Sequence, residues 1–154
     1  MNKITTIALA ALIGLSASTL ATTTSALAEG APSMAGAKQY FVNLKDGDTV
    51  SSPVTVIFGL SGMGVAPAGV DKENTGHHHI LLNRPPLGQG EDGADELTSS
   101  IPADEKHIHF GKGQTEKTLE LAPGKYTMQL VLGDKDHIPH NPPITSKVIT
   151  ITVK

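Results

Sequence analysis

The chain contains no cysteine and no tryptophan, and only two tyrosines and three phenylalanines among 154 residues. Without cysteine there can be no disulfide, so folding must rest on an apolar core. Thiolate metal sites are excluded as well, which leaves imidazole, carboxylate and thioether as ligands. So few aromatic rings make a stacking platform for carbohydrate hard to build. Positive charge is also scarce. The net charge is −3 with histidine neutral, a poor match for nucleic acid or an anionic lipid surface. The first seventy-six residues hold no histidine at all; all seven lie between His77 and His140.

An apolar stretch is present only at the start. Met1-Asn2-Lys3 supplies a short positive region, Ile4 to Leu20 is apolar and rich in small residues, and Ala26-Leu27-Ala28 is a small-x-small cleavage site. These three parts predict a secretory signal peptide over residues 1–28, cut before Glu29. A membrane anchor is the alternative, but Ser and Thr dilute the run. Losing Lys3 leaves the remainder one unit more acidic. No later apolar segment is long enough to span a bilayer, so the expected compartment is the periplasm. Residues 29–38, small, polar and Pro/Gly-containing, read as a flexible lead-in to a single domain over 39–154.

Within that domain the periodicity is that of strands. Tyr40 to Leu44, Val54 to Leu60, His77 to Leu82, His107 to Phe110, Thr118 to Leu121, Tyr126 to Leu132 and Val148 to Val153 all alternate or run β-branched. Turn chemistry separates them: Lys45-Asp46-Gly47-Asp48, the Gly-rich 61–75, and Ala122-Pro123-Gly124-Lys125. No stretch after the leader keeps a helical period. About seven short strands predict an all-β fold, an antiparallel immunoglobulin-like β-sandwich. Residues 84–106, with three prolines and Glu91, Asp92, Asp95 and Glu96, form a long acidic loop lacking the ligand ladder of an EF-hand. Gly111-Lys112-Gly113-Gln114-Thr115 lacks the spacing of a phosphate loop.

The histidines carry the chemistry. On a strand, residues i and i+2 share a face roughly 6–7 Å apart, close enough for two imidazoles to reach one ion through bonds of about 2 Å. His77/His79 and His107/His109 both have this spacing. His137 and His140 flank a proline in a loop and can close over the same place, with Asp134 or Asp136 as ligand or orienting partner. Both His-x-His pairs lie opposite most of their apolar neighbours, which places them on a polar face or strand end. His78 shares a face with Ile80 and Leu82 and reads as a core-margin residue. An imidazole-rich site without thiolate suits copper(II) or zinc, with nickel a further candidate. Met34 and Met63, in loops, offer thioethers for copper(I), whereas Met128 falls in a core stripe. The competing reading of every one of these histidines is plain surface polarity or turn capping.

Three segments carry a resemblance. Gly76-His77-His78-His79-Ile80-Leu81-Leu82-Asn83, His107-Ile108-His109-Phe110-Gly111-Lys112-Gly113-Gln114-Thr115-Glu116 and Leu121-Ala122-Pro123-Gly124-Lys125-Tyr126-Thr127 resemble the bacterial domain-of-unknown-function family numbered 4399. The likeness runs from about Tyr40 to Lys154. It implies an exported protein whose histidines belong to the family pattern. A fainter similarity, to copper-handling periplasmic sandwiches and copper–zinc superoxide dismutases, rests on the His-x-His pair and is analogy.

Together these features lead to an expectation of an exported, non-enzymatic copper or zinc protein that buffers, transports or delivers the ion through His77, His79, His107, His109, His137 and His140. The alternatives are an envelope or adhesion module in which the histidines are merely polar, and a dismutase-like metalloenzyme. No nucleophile triad or paired-carboxylate signature stands out.

Overall fold

A computed structural model describes residues 29–91 and 93–154. The expected signal peptide lies outside the described residues. Among the described residues nine strands follow one another: β1 Lys38–Phe41, β2 Thr49–Val50, β3 Val54–Ser61, β4 Gly64–Val65, β5 Thr75–Leu82, β6 His107–His109, β7 Glu116–Leu119, β8 Gly124–Gly133 and β9 Ile149–Val153. One turn of 3-10 helix, Gly93–Leu97, lies in the acidic loop. No helix among the described residues is long and apolar enough to cross a membrane.

The strands form two sheets, β1-β3-β7 and β2-β9-β8-β5-β4, with β6 also on β5. The arrangement is consistent with a β-sandwich. It is not wholly antiparallel as expected, because β2 pairs parallel with β9 and β4 parallel with β5. Both are two-residue pairings made where a loop runs alongside a strand, a contact that alternation in the sequence does not announce.

The core lies between the sheets. Val54, Val56 and Phe58 of β3 and Leu119 of β7 meet Ile80 of β5, Met128 and Leu130 of β8, and Ile149, Ile151 and Val153 of β9. These are the stripes the alternation predicts, and each fully buried aliphatic chain contributes about 1.5–3 kcal/mol. β1 departs from the pattern. Tyr40 and Val42 are exposed, whereas Gln39 and Leu44 are buried and Phe41 packs on the core. Tyr40 instead lies over Gly59 of β3, its ring on the outer side of the sheet.

β5 is the strand that positions the site. β8 pairs with it from His77↔Gly133 to Leu82↔Met128. Its other edge is divided between β4 at Thr75 and Gly76 and β6 at His79 to Leu81. Its inner side points His78 and Ile80 into the sandwich, where His78 packs on Phe58. Its outer side carries His77, His79 and Leu81.

Candidate metal centre

That outer face is not the open polar surface expected for the histidine pairs. His77 and His79 are 0% exposed. Alternation says which residues share a face but not what covers it. Here the cover is the long loop after β5, through Ile101 packed on Leu81 and Val131, and the loop after β8, which brings His137.

Four imidazoles meet on this face. The register places His109 of β6 beside His79. The His77 ring lies 4.7 Å from His79, 5.1 Å from His109 and 4.9 Å from His137, centroid to centroid. His79 stacks on His109 at 5.2 Å and lies 6.1 Å from His137, while His109 and His137 are 4.7 Å apart. His77, His109 and His137 each offer a ring nitrogen within 4.8 Å of the other two. Tetrahedral coordination with bonds of about 2.0 Å sets nitrogens about 3.3 Å apart, so small ring rotations close the set on one ion. His79 lies deeper, against His77 and His109.

Two glycines make room. A Cβ at Gly133 would lie 2.7 Å from Cε1 of His79, and one at Gly111 would collide with the His109 ring. His137 takes a left-handed backbone, φ 68°. That conformation is strained for a residue with a Cβ and is held by the surrounding loop.

The ring nitrogens are what mark this group as a site. Both nitrogens of His77, both of His79 and Nε2 of His109 are buried with no hydrogen-bond partner in the protein. Buried polar groups are nearly always paired, and leaving one unpaired costs about 1–3 kcal/mol. Five such atoms on three neighbouring rings fit a bound cation, which would take up one lone pair from each ring. Their protonation fits too. Burial pushes the His77 imidazolium down to about 4, helped by repulsion from His137 and His109 and opposed by Asp134. Burial first, then His77, His109 and His137, push His79 down to about 2. Burial and His137 also lower His109. Near neutral pH these rings are therefore neutral, the state in which imidazole ligates metal.

The remaining candidates are placed differently. His107 donates from Nδ1 to Asp104 Oδ1 at 2.8 Å, and Arg84 donates to its Nε2. That Arg84 guanidinium also pairs with Glu96. With one nitrogen protonated and the other accepting, His107 has no lone pair left for an ion. His140 is buried beside β5, its nitrogens 3.3 and 3.2 Å from the carbonyl oxygens of Leu132 and Thr75. His78 points the other way and accepts from Gln39 Nε2 at 2.7 Å. Asp134 Oδ1 accepts from the N–H groups of Asp136 and Ile138, while Asp136 is exposed. The sequence reading did not single out Arg84, Gly111 or Gly133. A glycine ending a buried strand and another two residues after a His-x-His pair were the available signals.

Neither the curated proteins nor the solved structures contain a match to this chain. A family model described as "Domain of unknown function (DUF4399)" matches residues 56–154, a span that contains all four clustered histidines. The chain thus belongs to the DUF4399 family, as its histidine and Phe-Gly-Lys-Gly-Gln-Thr-Glu segments suggest.

Proposed function

We propose that this protein binds one transition-metal ion, copper or zinc, in the cluster of His77, His79, His109 and His137, and that it buffers, carries or delivers that ion in the periplasm. The observation that carries this reading is the set of five buried ring nitrogens without a protein partner. Neutral nitrogen ligands without thiolate favour copper(II), zinc and nickel over magnesium or calcium. Export is supported by the leader-like residues 1–28.

Calorimetric titration of untagged protein with copper(II) and zinc(II), slightly above neutral pH, tests the reading. Tight saturable binding near one ion per chain is expected, lost in the His77→Ala/His79→Ala double variant. Weak binding at several sites, or full binding by the double variant, overturns it and leaves the envelope-module alternative in its place. Sequencing the N-terminus of exported protein tests the compartment, with Glu29 expected first.

A further inference from the structure

The metal reading leaves one buried charge unused. Asp134 is only 5% exposed, and both of its carboxylate oxygens are engaged. Oδ1 accepts from the N–H of Asp136 at 2.9 Å and of Ile138 at 3.0 Å. Oδ2 accepts from the N–H of Ala31 at 3.0 Å, across 103 residues of sequence.

The first two bonds wind residues 134–138 into a closed turn. Two backbone bonds tighten it, Asp134 N–H to the Ile138 carbonyl at 2.8 Å and His137 N–H to the Asp134 carbonyl at 3.0 Å. His137 stands in this turn in its left-handed conformation. Its own carbonyl accepts from Ile101 at 2.9 Å. The carboxylate is thus the hub that holds His137 over His77 and His109. Charge-assisted bonds of this kind are stronger than neutral ones. Asp134 is also the negative group acting on His77, the sign that favours a cation there.

The third bond leads to a separate part of the chain. Residues 29–33 run alongside 139–141. The Asn141 N–H donates to the Ala31 carbonyl, the Ser33 N–H to the Asn141 carbonyl, both at 3.0 Å, and Asn141 Nδ2 to Glu29 Oε1 at 2.6 Å. The N-terminal segment and the histidine-bearing turn therefore share one carboxylate.

We infer that Asp134 is the positioning residue of the metal centre and couples it to the segment Glu29–Ser33, so that seating the segment and binding the ion reinforce each other. The inference rests on the metal reading above. Asp134 holds the turn and does not join the ligand group, which closes within 4.8 Å on His77, His109 and His137 without it. Linkage makes the coupling reciprocal. If the seated segment raises metal affinity by some factor, the ion raises the stability of the seated segment by the same factor.

Cobalt(II) and zinc(II), added to protein produced from the full chain, provide the test. Cobalt absorption reports the number and geometry of the imidazoles, a signature that a general loss of stability would not alter. Asp134→Ala should weaken cobalt binding about tenfold or more and dim the visible band, within the usual range of coupling. Asp134→Asn, which keeps one oxygen, should fall between it and the parent. Ala31→Pro removes the N–H that reaches Asp134, fixes φ at that residue, and should weaken binding about threefold to tenfold. Zinc should slow amide exchange at Ala31 and Asn141 in the parent, and should leave exchange at Asn141 unchanged in Ala31→Pro, which has no amide at position 31.

A parent protein that binds cobalt, with Ala31→Pro and Asp134→Ala showing the same affinity and spectrum, overturns the inference and leaves the metal reading intact. So does exchange at Ala31 that ignores zinc. A parent that binds neither ion overturns both. If Asp134→Ala does not fold, Ala31→Pro, which leaves the turn's own bonds in place, decides.

Discussion

Replacing His79 with leucine should make the metal-free protein more stable, the opposite of what an ordinary core substitution does. His79 is 0% exposed, and neither ring nitrogen has a protein partner. Each unpaired buried group costs about 1–3 kcal/mol, and an apolar side chain of nearly equal volume removes both. Some of that gain is lost with the stacking on His109, so a net gain of about 2 kcal/mol is expected. For a domain of this size that raises the melting temperature by roughly 6–10 °C. The assay is a thermal melt of chelator-treated protein followed by circular dichroism, alongside a zinc titration. The leucine variant should melt higher than the parent without metal. It should also gain much less from zinc, whereas the parent gains about 4 kcal/mol at a thousandfold excess over its Kd. If His79 were a satisfied structural residue, His79→Leu would instead lose stability. A melting temperature that falls by 5 °C or more would refute the reasoning, because the imidazole would then be stabilising without an ion.

Three further outcomes follow from the same geometry. Acid should weaken the metal-free fold: His77 titrates near 4 when folded and near 6.5 when unfolded, so the unfolded chain binds more protons between those values. Stability is then complete above about pH 6.5 and falls on acidification, by about 2 kcal/mol at pH 5 from His77 alone, readable from urea midpoints at pH 7.5 and 5. Gly133→Ala should displace the His79 ring and cut zinc affinity about tenfold or more while leaving the strand's circular dichroism unchanged. His107→Ala should change zinc affinity less than about twofold, whereas His109→Ala should cost about a hundredfold or more; equal losses from the two would show that His107 ligates after all.

The strands were legible because burial on one side writes itself as alternation. Val54, Val56 and Phe58, Met128 and Leu130, and Ile149, Ile151 and Val153 all face the core as the pattern indicates. Tyr40 was misleading because its ring lies over Gly59 of the neighbouring strand, and a cross-strand partner is invisible in a linear sequence. The His-x-His spacing correctly put His77 with His79 on one face. It could not show that loops cover that face, since cover depends on where residues 84–106 and 133–140 come to rest. Nor could it separate His109 from His107. The two share spacing and face, and the register, which sets His109 opposite His79 and His107 opposite Leu81, together with Arg84 and Asp104, distinguishes them. The histidine cluster is completed by a residue whose place depends on a left-handed backbone at His137, which no periodicity encodes.

The pairing of β5 has a consequence for the traffic of ions. Its histidines stand on a strand hydrogen-bonded along both edges, by β8 on one side and by β4 and β6 in succession on the other. His77 and His79 thus form a floor set within the sheet. His109, on a three-residue strand, and His137, on a turn, are only partly buried and form the rim. An ion would enter and leave by movements of the rim alone. The rate of release would then be set by how often a short turn opens, independently of how firmly the protein as a whole is folded. In the proposed carrier role, such a floor and rim would let the ion be held tightly yet surrendered through two side chains.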